Sequence, residues 1–359
     1  IARLRNQQYT AKKSIIRPEK FGVDAVIHPE KAACEEIVRL VQHPYAVQAM
    51  EFEGGRLKML GIIISKDTLN ISGRTLSQLA KLVSEKAQIR FVVVAVLRGQ
   101  DTLVPQADFV FQEKDIAYFI VKSTDVRHLM EFLGREINEV KRVMIIGGSK
   151  IGRSLAKILP INNINVRLVD YNRPKAGHIS HKLDDSMVIY GDGTDIEFLK
   201  SENIQDVDSL IAVTENEKTN LIAGLLANHL GAKQSIMHVV TTQYIRTIQE
   251  IGVGAVISKN LSTVNAILRK LHSDLSEIHT ITFDEIDVDV VELQPDIGSL
   301  ITQKPIKDLD FPKDSIVGMI NHNGNIRIAQ GSSQLTPEDT ALVFTKPKSI
   351  NKLKNMFDA

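Results

Sequence analysis

The sequence contains one cysteine, Cys34, among its 359 residues. A single cysteine cannot form an intramolecular disulfide, so a disulfide-stapled secreted domain is excluded and a reducing cytosol fits. An excess of charge of one sign is also lacking, because 44 basic and 43 acidic residues leave a formal net charge of +1. This balance gives no electrostatic reason to expect nucleic acid or an anionic membrane as a ligand.

Long hydrophobic runs are missing as well. The longest apolar stretches, Met59–Ser65 and Phe91–Leu97, have the length of strands, whereas a membrane helix needs about 20 apolar residues. A role in a membrane process would therefore require a membrane partner, with no direct insertion of this chain. The chain begins at Ile1 without a turn or helix cap, which indicates a truncated or incomplete start rather than a signal peptide.

What the chain does contain is an internal repeat. Phe21–Val41 matches Ile251–Leu271 at an offset of 230, with seven of 21 positions identical, and Glu113–Leu129 matches Pro337–Leu353 at an offset of 224. Two segments at nearly one spacing indicate a tandem duplication. Because the second copy begins near residue 140 and the offset is 230, roughly the first 90 residues of the first copy are expected upstream of Ile1.

The duplication and the secondary-structure pattern predict an α/β protein of four domains. From Arg142 onward, apolar strands alternate with helical patterns, which is typical of a parallel sheet covered on both faces. The smaller segments predict α+β domains, with strands at Arg56–Ile64, Phe91–Leu97 and Ala117–Val121 around one helix at Leu76–Lys86, and a hairpin turn at Asn321–Gly324. The predicted division is the C-terminal part of a first Rossmann domain, a small domain, a complete Rossmann domain and a second small domain, at 1–41, 42–136, 137–272 and 273–359.

A glycine-rich loop follows the first strand of the complete Rossmann domain. The strand Arg142–Ile146 leads into G-x-G-x-x-G with serine at the middle glycine, formed by Gly147, Gly148, Ser149, Lys150, Ile151 and Gly152. Free N–H groups and the positive dipole end of the following helix can bind a diphosphate. Ser149 places a side chain where the pyrophosphate would come closest, and its hydroxyl could donate to a phosphate oxygen. Lys150 and Arg153 can meet phosphates or point to water.

Polar residues follow the next three strands at the same predicted edge. Asp170 ends the second strand, 23 residues after Gly147, where a carboxylate can accept both ribose hydroxyls. Asp192 and Thr194 lie in a turn after the third strand, and Thr214 and Glu215 follow the fourth. This pattern predicts a nucleotide site and favours NAD(H) or adenosine nucleotides over NADP, although the same residues also suit turns alone.

These motifs resemble RCK (regulator of potassium conductance) domains. Two RCK-N Rossmann domains, each followed by a small RCK-C domain, is the architecture of the regulatory subunits of Trk-type potassium-uptake systems. The resemblance implies a cytoplasmic, homotetrameric ring that binds NAD(H), ATP or ADP. It further implies docking on the cytoplasmic face of the inner membrane, beneath an integral-membrane potassium-translocating subunit. RCK proteins that serve another potassium channel or an antiporter remain an alternative.

The two copies differ at one strand that the resemblance connects with the nucleotide. Ile1–Tyr9 looks like the fifth strand of an RCK-N domain, in which an arginine faces the ligand. Aligning it with Ile236–Tyr244 puts Arg3 opposite His238 and Arg5 opposite Val240. The first site therefore offers a basic pair for phosphate where the second offers a histidine, unless the two arginines are ordinary surface charge.

An enzyme is the competing interpretation, because Rossmann domains commonly serve NAD-dependent oxidoreductases. The Tyr9/Lys13 and Tyr118/Lys122 pairs have the spacing of short-chain dehydrogenases, but both precede the glycine loop. No zinc motif, Walker loop or nucleophile elbow occurs. We therefore expect no catalytic residues and no metal site.

Overall fold

The computed structural model describes residues 1–4, 18–66, 68, 70–71, 73–86, 89–135, 137, 139–251, 253–274, 280–283 and 286–358. Arg5 and the Tyr9/Lys13 pair lie outside these ranges. The chain forms two compact units, each discontinuous in sequence. One combines Ile1–Val47 with Asn138–Lys270, and the other combines Gln48–Ile137 with Leu271–Ala359.

The first 47 residues contribute a short parallel strand pair and one long helix. The elements are β1 (Ala2–Arg3), β2 (Val26–Ile27) and α1 (Pro29–Gln42). Helix α1 starts at a proline, whose fixed φ suits the first helical position. Its buried face includes Cys34, whose thiol donates to the Ile151 carbonyl oxygen at 3.8 Å. Burial, with a smaller contribution from Glu35, raises the pKa of this thiol to about 12, so Cys34 is a packing residue.

An antiparallel sheet follows in the other unit. Its elements are β3 (Gln48–Phe52), β4 (Leu57–Ile63), α2 (Leu76–Lys86), β5 (Phe91–Arg98), β6 (Asp101–Leu103), β7 (Ile116–Lys122) and α3 (Val126–Phe132). The strand order is β3-β4-β7-β5-β6. The three strands and the helix α2 expected from the sequence are present, whereas β3, β6 and α3 were not predicted.

The complete Rossmann domain has six parallel strands in the described residues. Its elements are β8 (Arg142–Ile146), α4 (Lys150–Ile158), β9 (Asn165–Asp170), α5 (Arg173–Ser180), β10 (Ser186–Tyr190), α6 (Ile196–Ser201), β11 (Ser209–Ala212), α7 (Glu217–His229), β12 (Gln234–Val239), α8 (Thr242–Ile251), β13 (Ala255–Ser258) and α9 (Lys259–Asp274). The order β10-β9-β8-β11-β12-β13 is 3-2-1-4-5-6 within the domain, the Rossmann arrangement. All four residues of β11 are buried, as a sheet covered on both faces requires.

The last part of the chain repeats the small antiparallel sheet. Its elements are β14 (Thr280–Phe283), β15 (Val288–Leu293), α10 (Leu300–Gln303), β16 (Ser315–His322), β17 (Asn325–Ile328), β18 (Asp339–Thr345) and α11 (Ile350–Phe357). The order β14-β15-β18-β16-β17 is the same path as in the first sheet.

The two small sheets also share a local irregularity. The β5–β7 register shifts between Val93 and Ala95, and the β16–β18 register shifts between Val317 and Met319. These positions are 224 residues apart, which is the offset of the second sequence match. A bulge at equivalent places supports a tandem duplication, because bulges are kept as designed features of a fold.

Candidate functional site at the carboxyl edge of the Rossmann sheet

The strand order creates a crevice at one edge of the parallel sheet. The chain leaves β8 toward β9 on one side, and returns to β11 on the other side of β8. Loops that follow β8 and β11 therefore diverge and leave space between them, the switch point at which open α/β sheets bind ligands. The loops after β8, β9, β10 and β11 carry the residues singled out from the sequence.

Two glycines of the loop, Gly147 and Gly152, lie against neighbouring backbone atoms. Gly147 has φ = 106°, and a Cβ added there would stand 2.8 Å from the backbone of Thr214. A Cβ on Gly152 would stand 2.0 Å from the Gly147 carbonyl oxygen. Neither position has room for a side chain, and Gly147 also has a backbone conformation that side chains rarely adopt. The glycines thus let helix α4 start directly against the end of β8.

Ser149 caps the helix that follows this loop. Its side-chain oxygen accepts the Gly152 N–H at 3.2 Å, with extended backbone at φ = −67° and ψ = 178°. The Ser149 oxygen is thus turned toward the first helical turn, as an N-cap residue requires, and its hydroxyl hydrogen is still able to donate outward. Lys150 is exposed and Arg153 half-buried, and neither makes an ion pair with another described residue. Ile151 is buried and serves packing.

Asp170 sits at the end of β9 directly beneath the loop. Its Oδ2 accepts the Gly148 N–H at 2.8 Å and Lys175 Nζ at 2.7 Å, and its Oδ1 accepts the Asn172 N–H at 2.9 Å. Burial works against ionisation of Asp170, but the hydrogen bonds from Lys175, Asn172 and Gly148 outweigh it. The pKa of this carboxyl is therefore lowered, and Asp170 is a buried carboxylate at neutral pH.

The turn after β10 has its own hydrogen bonds. Asp192 is exposed, and its Oδ1 accepts both the N–H and the hydroxyl of Thr194, at 2.8 and 2.7 Å. A Cβ on Gly193 would meet Ile146 at 2.3 Å, so this turn packs onto the end of β8. The sequence prediction grouped Asp192 and Thr194 with the glycine loop, and Gly193 places them beside it.

Two residues that the sequence analysis did not identify organise the far side of the crevice. Asn220, fully buried in α7, accepts the N–H and hydroxyl of Thr214 and donates to the His238 carbonyl oxygen at 2.8 Å. Glu217 accepts the N–H groups of Val240 and Thr241 at 2.8 and 2.9 Å. Both tie the end of β11 to the end of β12. The sequence held a signal for these two residues, because the polar run Asn216–Asn220 stands at the start of the helix that follows the fourth predicted strand.

Thr214, Glu215 and His238 are placed differently by these contacts. The Thr214 hydroxyl is engaged with Asn220, whereas Glu215 is exposed at the edge. His238 is 8% exposed, and its Nε2 is buried without a hydrogen-bond partner among the described residues. Burial and the Lys259 charge lower the pKa of His238 against the opposing effect of Glu217, so its ring is neutral at pH 7.

Arg3 and His238 occupy equivalent positions in separate sheets. Arg3 pairs with Ile27 in the β1–β2 sheet, and His238 pairs with Ile257 in β12–β13. Ile27 and Ile257 are 230 residues apart, which is the repeat offset. Arg3 is exposed and belongs to a different carboxyl edge from Gly147 and Asp170. Its neighbour in the predicted basic pair, Arg5, lies outside the described residues.

In the portion of the chain that the structure describes, no three His, Cys, Asp or Glu side chains converge as metal ligands would. None of the helices in the same ranges combines the length and apolar content that a bilayer crossing demands.

Comparison with known proteins gives the class of this fold. The TrkA-N domain model matches residues 143–259, and the TrkA-C domain model matches residues 62–134 and 290–358. The GsuK RCK domain superposes with a TM-score of 0.51 at 16% identity, covering 94% of this chain and 71% of that one. The GsuK channel bound to NAD gives the same TM-score at 16% identity. The protein is thus of the class that combines a TrkA-N Rossmann domain with small antiparallel TrkA-C domains.

The relatives narrow this class further. The chain is 27% identical over 359 residues to the Trk system potassium uptake protein TrkA homolog 2 of Methanosarcina mazei, covering 99% of this chain and 78% of that protein. It is 28% identical over 357 residues to the TrkA homolog of Archaeoglobus fulgidus, covering 99% and 79%. The chain belongs to the TrkA family of potassium-uptake proteins, with TrkA-N and TrkA-C domains.

Proposed function

We propose that this chain is a nucleotide-sensing regulatory subunit of a Trk-type potassium-uptake system. A nucleotide binds at the carboxyl edge of the Rossmann sheet and changes the conformation of the assembly that controls a membrane-embedded potassium-translocating subunit. The observation that carries the proposal is the glycine loop Gly147–Gly152 packed over the buried carboxylate of Asp170, at the switch point of the sheet.

The ligand class follows from the groups around the crevice. Free N–H groups at the start of α4, together with Lys150 and Arg153, suit a diphosphate. Asp170 suits the two hydroxyls of an adenosine ribose, and Asp192 and Thr194 line the adenine side. NAD(H), ADP and ATP share this adenosine diphosphate part, so the proposal covers all of them. The NAD in the GsuK channel structure belongs to GsuK, and the proposal rests on this chain's own loop.

The far wall of the same crevice is assigned to Thr214, Glu215 and His238. The neutral His238 ring has one buried nitrogen, Nε2, without a hydrogen-bond partner among the described residues, where the equivalent Arg3 of the first copy carries a full charge. A guanidinium binds phosphate more strongly than a neutral imidazole does. The two copies are therefore proposed to bind different nucleotides or to differ in occupancy, with Arg3 and Arg5 serving the first site.

Regulation requires that the nucleotide binds one conformation more tightly than another. A difference of about 1.4 kcal/mol between the nucleotide-binding free energies of two conformations changes the ratio of their populations tenfold. A few charge-assisted hydrogen bonds supply a difference of this size. We propose a homotetrameric ring, held at the cytoplasmic face of the inner membrane by the translocating subunit. Such a subunit regulates without catalysing a reaction, since the crevice is assigned to ligand binding alone.

A potassium-uptake assay tests this function. Uptake is measured in a strain that lacks its own TrkA-type subunit, complemented with this protein or with its Asp170→Asn variant. Restored uptake that depends on Asp170 supports the proposal, and Asp184→Asn is a matched control because Asp184 is exposed. Turnover of NADH with a candidate substrate, without any effect on uptake, would instead establish an oxidoreductase.

A further inference from the structure

The Asp170 carboxylate is already occupied by the protein itself. Oδ2 receives two donors, the Gly148 N–H at 2.8 Å and Lys175 Nζ at 2.7 Å, and Oδ1 receives the Asn172 N–H at 2.9 Å. A carboxylate oxygen has two lone pairs to offer, so Oδ2 is fully used. The side chain of Asp170 is only 1% exposed, which leaves little access to the remaining lone pair of Oδ1.

One of the three donors is able to leave. Gly148 and Asn172 donate from the backbone, and Gly148 is closely packed, since a Cβ there would stand 2.4 Å from the Ile179 side chain. Lys175 donates from the end of a flexible side chain that is 39% exposed. A ribose that hydrogen-bonds to Asp170 with both hydroxyls must therefore displace Lys175, since the backbone donors cannot withdraw without moving the loop.

The same ammonium changes which ribose the site accepts. An unpaired carboxylate at this position repels a 2′-phosphate, which is the usual reason that an acidic residue here selects NAD over NADP. Lys175 neutralises Asp170 and lies where it can pair with a 2′-phosphate once it is released from the carboxylate. Lys175 therefore weakens the binding of a nucleotide with a free 2′-hydroxyl and strengthens the binding of one with a 2′-phosphate.

We propose that Lys175 is a specificity-determining residue of the nucleotide site, an internal cation that competes with the adenosine ribose for Asp170 and narrows the preference for NAD over NADP. This inference rests on the proposed function, because it requires that a nucleotide binds at Asp170. It goes beyond the proposed function by naming the residue that sets the preference between a free 2′-hydroxyl and a 2′-phosphate.

Calorimetric titration of the full chain with NAD and with NADP tests the inference. In Lys175→Gln the affinity for NAD is expected to rise about three- to fivefold, which is the scale of a half-exposed ion pair. The affinity for NADP is expected to fall by a similar factor. Lys175→Arg keeps the charge and should retain the wild-type ratio. Lys182→Gln is the matched control, since Lys182 is an exposed lysine just beyond the same helix.

The outcomes separate the two claims. Binding with an unchanged or lower NAD-to-NADP affinity ratio in Lys175→Gln would overturn the role of Lys175 and leave the proposed function intact. If the wild-type chain and every variant bind none of the nucleotides while their melting curves show folded protein, the proposed function is overturned and this inference with it. A shift in the ratio that Lys182→Gln reproduces equally would reduce the effect to general surface charge and contradict the inference.

Discussion

The carbonyl oxygen of Gly147 lies 2.0 Å from the point at which a Cβ atom on Gly152 would stand. Backbone atoms cannot move aside as a flexible side chain can, so Gly152→Ala forces α4 away from β8. We expect this variant to lower the free energy of unfolding by about 2–3 kcal/mol, as overpacking does, and to lose nucleotide affinity. Urea unfolding and nucleotide titration measure the two effects.

Gly177 is the matched control for this substitution. It lies inside α5, and a Cβ there would meet no atom within 4 Å. Gly177→Ala is expected to stabilise the protein by about 0.5–1 kcal/mol, because alanine is the better helix former. Equal effects of the two alanine variants would contradict the tight packing described for the loop.

The sequence was sufficient to predict much of this fold, because its signals are local. The glycine loop, the alternating apolar strands and the Asn323-Gly324 turn each specify structure over a few residues. Asn323 and Gly324 do have positive φ, 50° and 86°, between β16 and β17. The division of the chain into two compact units, each made of two separate segments, was not predicted. It depends on contacts between residues over a hundred positions apart.

The hydrogen-bond partners of the side chains at the site could not be predicted from the sequence either. Asp170 was correctly placed at the end of its strand, but nothing in the sequence shows that Lys175 reaches it rather than solvent. Ser149 likewise has a hydroxyl suited to phosphate or to a helix cap, and only the backbone geometry shows that its oxygen caps α4. His238 is buried in β12, a strand whose six residues are all buried, and this burial is set by packing on both faces of the sheet. Its assignment to ligand binding stays a prediction.

Asp170 gives the protein a pH dependence with a definite sign. Its pKa is lowered in the folded chain, so its ionised form contributes stability that is present above the unfolded value near 3.8 and is lost as the pH falls through the folded value. Asp170→Asn should remove this contribution. We expect the variant to be less stable than wild type by about 1–3 kcal/mol at pH 6, with the gap narrowing as the solution becomes more acidic.

Urea unfolding at a series of pH values measures this gap. Burial raises the pKa of Asp208, but hydrogen bonds from Lys233 and from the N–H groups of Lys141 and Arg142 outweigh it, so this pKa is also lowered. Acid therefore destabilises wild type and Asp170→Asn alike through Asp208, and only their difference reports on Asp170. A difference that stays constant down to pH 3 would contradict the lowered pKa.

Asp115 and Asp339 are equivalent buried carboxylates in the two small sheets, so we expect their substitution to destabilise the protein equally. Each is at most 1% exposed and accepts the N–H three residues before it, from Gln112 and from Thr336. Asp115 also accepts two bonds from Arg98. We expect Asp115→Asn and Asp339→Asn each to lower the free energy of unfolding by about 2–3 kcal/mol, since each variant loses hydrogen bonds to a buried charged group.

Thermal and urea unfolding of the two variants check this expectation, with Asp108→Asn as an exposed control. The control should change stability by less than about 0.5 kcal/mol. A small effect at one twin and a large effect at the other would show that the duplicated sheets no longer depend on the same carboxylate.

The most direct test of the central claim is a calorimetric titration of the purified chain with NAD, NADH, ADP and ATP, repeated with Asp170→Asn. Saturable binding that weakens about tenfold or more in the variant is the predicted result, because each lost bond to a charged group is large on this scale. Absence of binding by the folded wild-type chain, or equal affinity in wild type and Asp170→Asn, would contradict the assignment of the carboxyl edge as the nucleotide site.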